Sequence, residues 1–162
     1  MQPHFPGAIV GNVWILAGFA AWMTAQFCKL LSSVIQRRDV DFAYFVSTGG
    51  MPSAHSATVS SLATAVGITE GFDTATFAVA FALAAITMFD ASTVRLAAGR
   101  QARILNQIVQ EMRQTHKLPP FPKLKELLGH TRFEVLMGMA VGILVGANVT
   151  LWWMVTHSEG TP

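Results

Sequence analysis

Long apolar stretches alternate with short polar ones along this chain, and the apolar stretches are of two kinds. From Ala8 to Cys28, "AIVGNVWILAGFAAWMTAQFC" carries no formal charge, and at about 1.5 Å rise per residue it is long enough for a bilayer's hydrocarbon layer. Phe133 to Val155, "FEVLMGMAVGILVGANVTLWWMV", is a second such run, ending at the interfacial pair Trp152 and Trp153. Thr74 to Met88, "TATFAVAFALAAITM", is a third; it continues through Asp90 towards Ala98. The stretch Ser53 to Ile68, "SAHSATVSSLATAVGI", differs, being rich in Ser, Thr and Ala. It predicts a helix enclosed by the others, because small residues allow close approach and hydroxyls find partners on neighbouring backbones rather than in lipid.

Between the third and fourth of these segments in chain order, Gln101 to Met112 places Ile104, Leu105, Ile108 and Met112 on one helical face with polar residues opposite. That is the pattern of an amphipathic surface helix. "KLPPFP" breaks it at Pro119 and Pro120, and "KLKELL" from Lys123 predicts a short turn of helix leading to Gly129. The expected fold is therefore all-α: a single membrane-embedded domain over residues 1–162, with about four membrane helices and one interfacial helix.

Composition agrees. Of 162 residues 52% are hydrophobic and 12% charged, and mean hydropathy is +0.45, too apolar for a soluble domain with one core. The lone Cys28 excludes an intrachain disulfide framework or cysteine metal site. No Lys or Arg precedes Lys29, so the first apolar run reads as a retained span rather than a cleaved signal.

Charge adds orientation. The Lys and Arg residues fall in two groups, Lys29 to Arg38 and Arg95 to Arg132, whereas the Glu70/Asp73 loop has no base. By the positive-inside rule both basic regions face the cytoplasm and both termini lie outside. "GGMPSAH", the Asp90/Arg95/Arg100 group and "GHTRFE" then share one interface.

Phosphate chemistry at that interface needs N–H groups and cations to hold an anion, a nucleophile, and an acid for the leaving oxygen. Gly49 and Gly50 permit an unusual backbone path, Pro52 and Ser53 open a helix, and His55 projects from its first turn. His130 and Glu134 are four residues apart and share a face if helical. A carboxylate holding one imidazole nitrogen leaves the other as nucleophile or base.

"PSAH", Pro52 to His55, resembles the P-S-G-H motif of the type-2 phosphatidic acid phosphatase superfamily, and His130 with Glu134 resembles its later H-x-x-x-D. Together with "FDASTVRLAAGRQARILN" and "LLGHTRFEVLMG", the pattern is similar to the small divergent membrane branch of that superfamily, which is related to vanadium haloperoxidases, over roughly Lys29 to Gly142. The resemblance implies a metal-independent, cofactor-free phosphatase working through a phosphohistidine. His130 would be the nucleophile, Glu134 its orienting carboxylate and His55 the general acid; Ser53 and backbone near Gly50 would hold phosphate. Lys29 with Arg37 or Arg38 only approximates the superfamily's first motif, and Leu124 stands where a second arginine is expected. Arg95, Arg100, Lys123 and Lys125 are the remaining candidate cations.

The expected function is hydrolysis of a lipid phosphomonoester or diphosphate. Phosphatidylglycerophosphate and phosphatidic acid come first and a polyprenyl diphosphate next, at the inner face of a bacterial cytoplasmic membrane. Two other readings stand beside it: a noncatalytic phospholipid-binding or assembly protein that keeps the phosphate cradle, and a vanadate-dependent haloperoxidase. The basic loops lack an aromatic platform for nucleic acid, so anionic lipid is the expected partner. Asp90 and Arg95 read equally as a boundary ion pair or as part of the site. Gly138, Gly142 and Gly146 predict close packing within the chain, with a homodimer seam as the alternative. His4, His116 and His157 read as terminal or loop residues.

Overall fold

The computed structural model describes residues 11–37, 50–116, 121–126 and 128–157. They form helices α1 (Val13–Arg37), α2 (Ala54–Glu70), α3 (Ala75–Ser92), α4 (Val94–His116) and α5 (Arg132–His157). Among the described residues three stretches are long and apolar enough to cross a membrane: Val13–Val34, Ala75–Gln114 and Arg132–His157. The chain is an all-α integral membrane protein.

α2, of 17 residues, is not one of these stretches. It stands among α1, α3 and α5 and packs against all three, as its composition predicts. The bundle is built with small residues inside and large ones outside. Ala17, Ala21, Ala25, Ala54 and Ala57 are buried where α1 meets α2, while Phe19, Phe27, Val79, Ile86 and Leu144 point outward. In lipid the outward faces need no cover, so helices associate by close packing of small side chains.

The glycine stripe shows this most directly. A Cβ on Gly138, Gly142 or Gly146 would run into the carbonyl oxygens of Ser53, Ala57 and Ser61 respectively. The stripe is thus filled by α2 within one chain and is not free to serve as a homodimer seam.

Three boundaries differ from expectation. Asn12 caps α1, its Oδ1 accepting from the N–H groups of Trp14 at 3.0 Å and Ile15 at 3.3 Å, so the helix begins at Val13 rather than Ala8. It also continues past Cys28, because Lys29 is buried within the bundle rather than marking its edge. The third segment breaks at Thr93, with φ −125° and ψ −71°. There the Ser92 and Thr93 hydroxyls donate to the carbonyls of Met88 and Phe89, the local competition by which Ser and Thr end or bend helices. α4 then starts at Val94, earlier than the expected Gln101, and leaves Ile104, Leu105, Ile108 and Met112 exposed as an apolar row.

The helical turn expected from Lys123 is absent among residues 121–126. Asn106 of α4 holds this segment as a strand would. Its Oδ1 accepts from Leu124 N–H at 3.0 Å and its Nδ2 donates to Leu124 O at 2.9 Å. Nδ2 also donates to Glu126 Oε1 at 2.8 Å, and Arg103 pairs with Glu126 at 3.5 Å. With both backbone groups of Leu124 engaged by Asn106, that residue has partners outside a helical ladder.

Candidate active site

Helix starts leave four backbone N–H groups without intrahelical acceptors, and the two starts at the basic end of this bundle meet these demands jointly. For α2, Ser53 is the N-cap: its Oγ accepts from Ser56 N–H at 3.4 Å and from Ser56 Oγ at 3.0 Å. Ser53 N–H itself donates to Glu134 O of α5 at 3.1 Å. The N–H groups of Ala54 and His55 remain without an intrahelical acceptor. For α5, Thr131 and Glu134 form a reciprocal capping box. Glu134 N–H donates to Thr131 Oγ1 at 3.3 Å and Thr131 N–H to Glu134 Oε2 at 2.8 Å. These bonds lock the starts of α2 and α5 together.

His55, on the first turn of α2, and His130, just before α5, consequently line one cavity of about 90 Å³. Its wall is completed by Thr87, Asp90 and Ala91 from the end of α3, Arg95 from α4, and Leu128 with Gly129. The segment carrying His130 is docked on the α3/α4 junction. His130 N–H donates to Ala91 O at 2.9 Å, and Gly129, at φ +83°, lies so close to the backbone of Arg95 and Leu96 that a side chain would collide with it.

His130 is 3% exposed, and among the described residues neither ring nitrogen has a hydrogen-bond partner. Nδ1 lies 3.4 Å from Glu134 Oε2, ion-pair reach but too long for a good N–H···O bond. Burial pushes the His130 pKa below the usual imidazole value; the Glu134 carboxylate opposes this, and the positive charges of Lys29 and His55 reinforce it. A buried imidazole that favours the neutral form, with a carboxylate on its Nδ1 side, keeps a lone pair available on Nε2.

The remaining expected residues divide. Lys29 is buried in α1 at 4% exposure, and its charge is felt by His130. Arg95 lines the cavity and is paired with Asp90, Nε to Oδ2, at 2.6 Å. Asp90 is thus both ion-pair partner and cavity wall. Ser53 is fully buried and acts as the cap of α2. Gly50 takes an unusual backbone path, left-handed at φ +94°, but among the described residues nothing packs within 4 Å of where its side chain would be. Arg100 is exposed on α4 and lies outside the cavity wall. Arg38 and His4 lie outside the described residues, as do the side chains of Arg37 and His116, while His157 ends α5 stacked on Trp153 at 3.8 Å.

Two features escape the sequence reading. Thr87 adds a hydroxyl to the cavity; its signal is a single polar residue in the apolar run "FALAAITMF". The capping box is written in "TRFE" as T-x-x-E. Glu134 therefore has a structural duty beside any chemical one. Among the described residues, no group of three or more His, Cys, Asp or Glu side chains is placed to hold a metal ion.

Comparison with known proteins places these residues in context. The family described as the divergent PAP2 family matches residues 10–145. An uncharacterized membrane protein, YuiD, of Bacillus subtilis (strain 168) is 40% identical over 156 residues, covering 90% of this chain and 99% of that protein. No solved structure matches.

Proposed function

Since the chain belongs to the divergent PAP2 family, we propose that it is a membrane lipid phosphate phosphatase working through a phosphohistidine. The observation that carries this reading is the convergence of His55 and His130, from two interlocked helix starts, on one cavity that also holds Arg95. His130 Nε2 attacks phosphorus while the P–O bond to the lipid breaks. His55, protonated, gives its proton to the leaving oxygen. His55, now neutral, then takes a proton from water, which attacks the phosphohistidine and releases inorganic phosphate and free His130. Lys29, Arg95 and the N–H groups at the start of α2 balance the phosphate charge. No metal is required in either step.

The substrates are phosphomonoesters or diphosphates of lipids. Phosphatidylglycerophosphate and phosphatidic acid are favoured because the basic end is assigned to the cytoplasmic face of a bacterial inner membrane. One observation favours a second reading, a noncatalytic phospholipid-binding protein: Arg95 is already neutralised by Asp90 and Ser53 is committed to capping. The two separate on phosphate release from phosphatidylglycerophosphate, phosphatidic acid and a polyprenyl diphosphate by detergent-purified protein. Release by the parent chain and its loss in folded His130→Ala and His55→Ala variants is the expected result. Phosphate bound without release from any lipid would establish the second reading instead.

A further inference from the structure

Along α2, positions 55, 59, 62 and 66 recur at helical spacing and lie on one face; along α3 the same holds for 76, 80, 83, 87 and 91. The phosphate-sized cavity uses the first part of this pair of faces, with His55 on α2 and Thr87 and Ala91 on α3. The rest of the pair lines a second, open depression of about 470 Å³, walled by Leu62, Val66, Ala80 and Leu83 with Val79 and Trp14 at its sides. Leu83 and Thr87 are successive turns of α3, so the two depressions follow one another along the same inter-helix seam. From Thr87 to Thr76 the seam runs about 16 Å along α3.

We infer that this groove is the seat of a hydrocarbon chain of the lipid whose phosphate occupies the His55/His130 cavity. The inference rests on the phosphatase reading and adds to it how the enzyme selects its lipid. The groove's chemistry suits that occupant. Its wall is almost wholly apolar, its rim residues Val79 and Leu83 are 70% and 49% exposed in a helix that spans the membrane, and Leu83 at one end lies one helical turn from Thr87 of the polar cavity. Its other end is fixed, because Trp14 Nε1 donates to Thr69 Oγ1 at 2.7 Å and holds the indole in place. A lipid phosphate laid along the seam puts its head at the histidines and its chain toward Trp14, so the far end sets a preferred chain length. Leu62, Leu83 and Trp14 are therefore specificity determinants rather than catalytic residues.

The test pairs turnover with labelling. Leu83→Trp narrows the groove from its rim; Ile86→Trp adds the same bulk to α3 outside it, at a residue 68% exposed. Leu83→Trp is expected to lose at least tenfold more in kcat/KM against long-chain phosphatidic acid than against a short-chain, water-soluble analogue, while Ile86→Trp hydrolyses both at the parent rate. An equal effect of Leu83→Trp on the two chain lengths, or none on either, overturns the inference. Separately, phosphatidic acid with a photoreactive group at the end of one acyl chain is crosslinked to the parent protein and the labelled peptides are mapped. Labelling between Leu62 and Leu83 or at Trp14, displaced by unlabelled phosphatidic acid but not by a neutral lipid of the same chains, supports the groove. Displacement by the neutral lipid, or labelling elsewhere, overturns it. Phosphate-dependent labelling in a protein that releases no phosphate would sink the phosphatase reading while leaving the groove standing.

Discussion

At the scale of single residues, the account turns on the charge state of His130. Its buried imidazole resists protonation, so the proposed nucleophile stays neutral to pH values below the ordinary imidazole range, and the acid limb of kcat/KM should lie below about 6.5. The alkaline limb follows loss of the proton on His55, whose pKa burial and the Arg95 and Lys29 charges also push below the ordinary imidazole value, so the bell is narrow and lies on the acid side. Two substitutions move the acid limb in opposite directions. Glu134→Gln removes the charge that raises the His130 pKa yet retains an oxygen for Thr131 N–H, so the limb shifts to lower pH. Lys29→Met removes a charge that lowers it, so the limb shifts up. The reading is the position of the limb, since either variant also lowers its height. The same depressed pKa links to stability: the fold favours neutral His130, so its contribution is held above the ordinary imidazole value and declines as pH falls below it. A denaturation series against pH, comparing the parent with His130→Gln, checks that sign.

At the scale of elements, the contact between α2 and α5 decides whether the histidines meet at all. Gly142→Ala drives a methyl toward Ala57 O and to 2.9 Å from Ser60 Cβ, and should destabilise by about 1–3 kcal/mol, read as a lower Tm in detergent with loss of activity. Gly18→Ala is the contrast, because its Cβ would make only ordinary contact with Thr58 at 3.6 Å; it should leave Tm unchanged or slightly raised. These interfaces were legible in the sequence: a Gly stripe and a Ser/Ala-rich helix are a complementary pair, and only close backbone packing explains both. The break at Thr93 was not, because apolar periodicity runs through it and only the Ser92 and Thr93 hydroxyls, bonding backwards to carbonyls, mark it. The segment after Lys123 misled for a related reason. Its composition suits a helix, but Asn106, distant in sequence, supplies better partners for its backbone. That His55 and His130 lie at one end of the bundle with Glu134 beside His130 was legible in the motifs, but how they are wired was not. That the Glu134 carbonyl receives Ser53 N–H is a fact of tertiary contact, whereas its capping of α5 is local and written in T-x-x-E.

At the scale of the whole molecule, one end carries the cavity, the paired helix starts and the basic residues, and the other carries Glu70 and Asp73. By the positive-inside rule this charge asymmetry assigns the proposed site to the cytoplasmic side, an assignment that labelling tests. In a background with Cys28 replaced by Ala, cysteine at Arg100 should be shielded from a membrane-impermeant maleimide in intact cells and labelled once they are opened. Cysteine at Asp73 should react in intact cells; the reverse pattern would put the site on the outer face. Under the proposed function, a cytoplasmic orientation would restrict the substrates to lipid phosphates of the inner leaflet.

The covalent step is the claim from which the rest follows, and it is read most directly by trapping. Purified protein is mixed with phosphatidic acid radiolabelled in its phosphate, quenched within a turnover under alkaline denaturing conditions, and digested for peptide mapping. A base-stable, acid-labile phosphoryl group is expected on the peptide containing His130 and absent from His130→Ala. Phosphate released at the parent rate with no label on that peptide, or label surviving in His130→Ala, would contradict it.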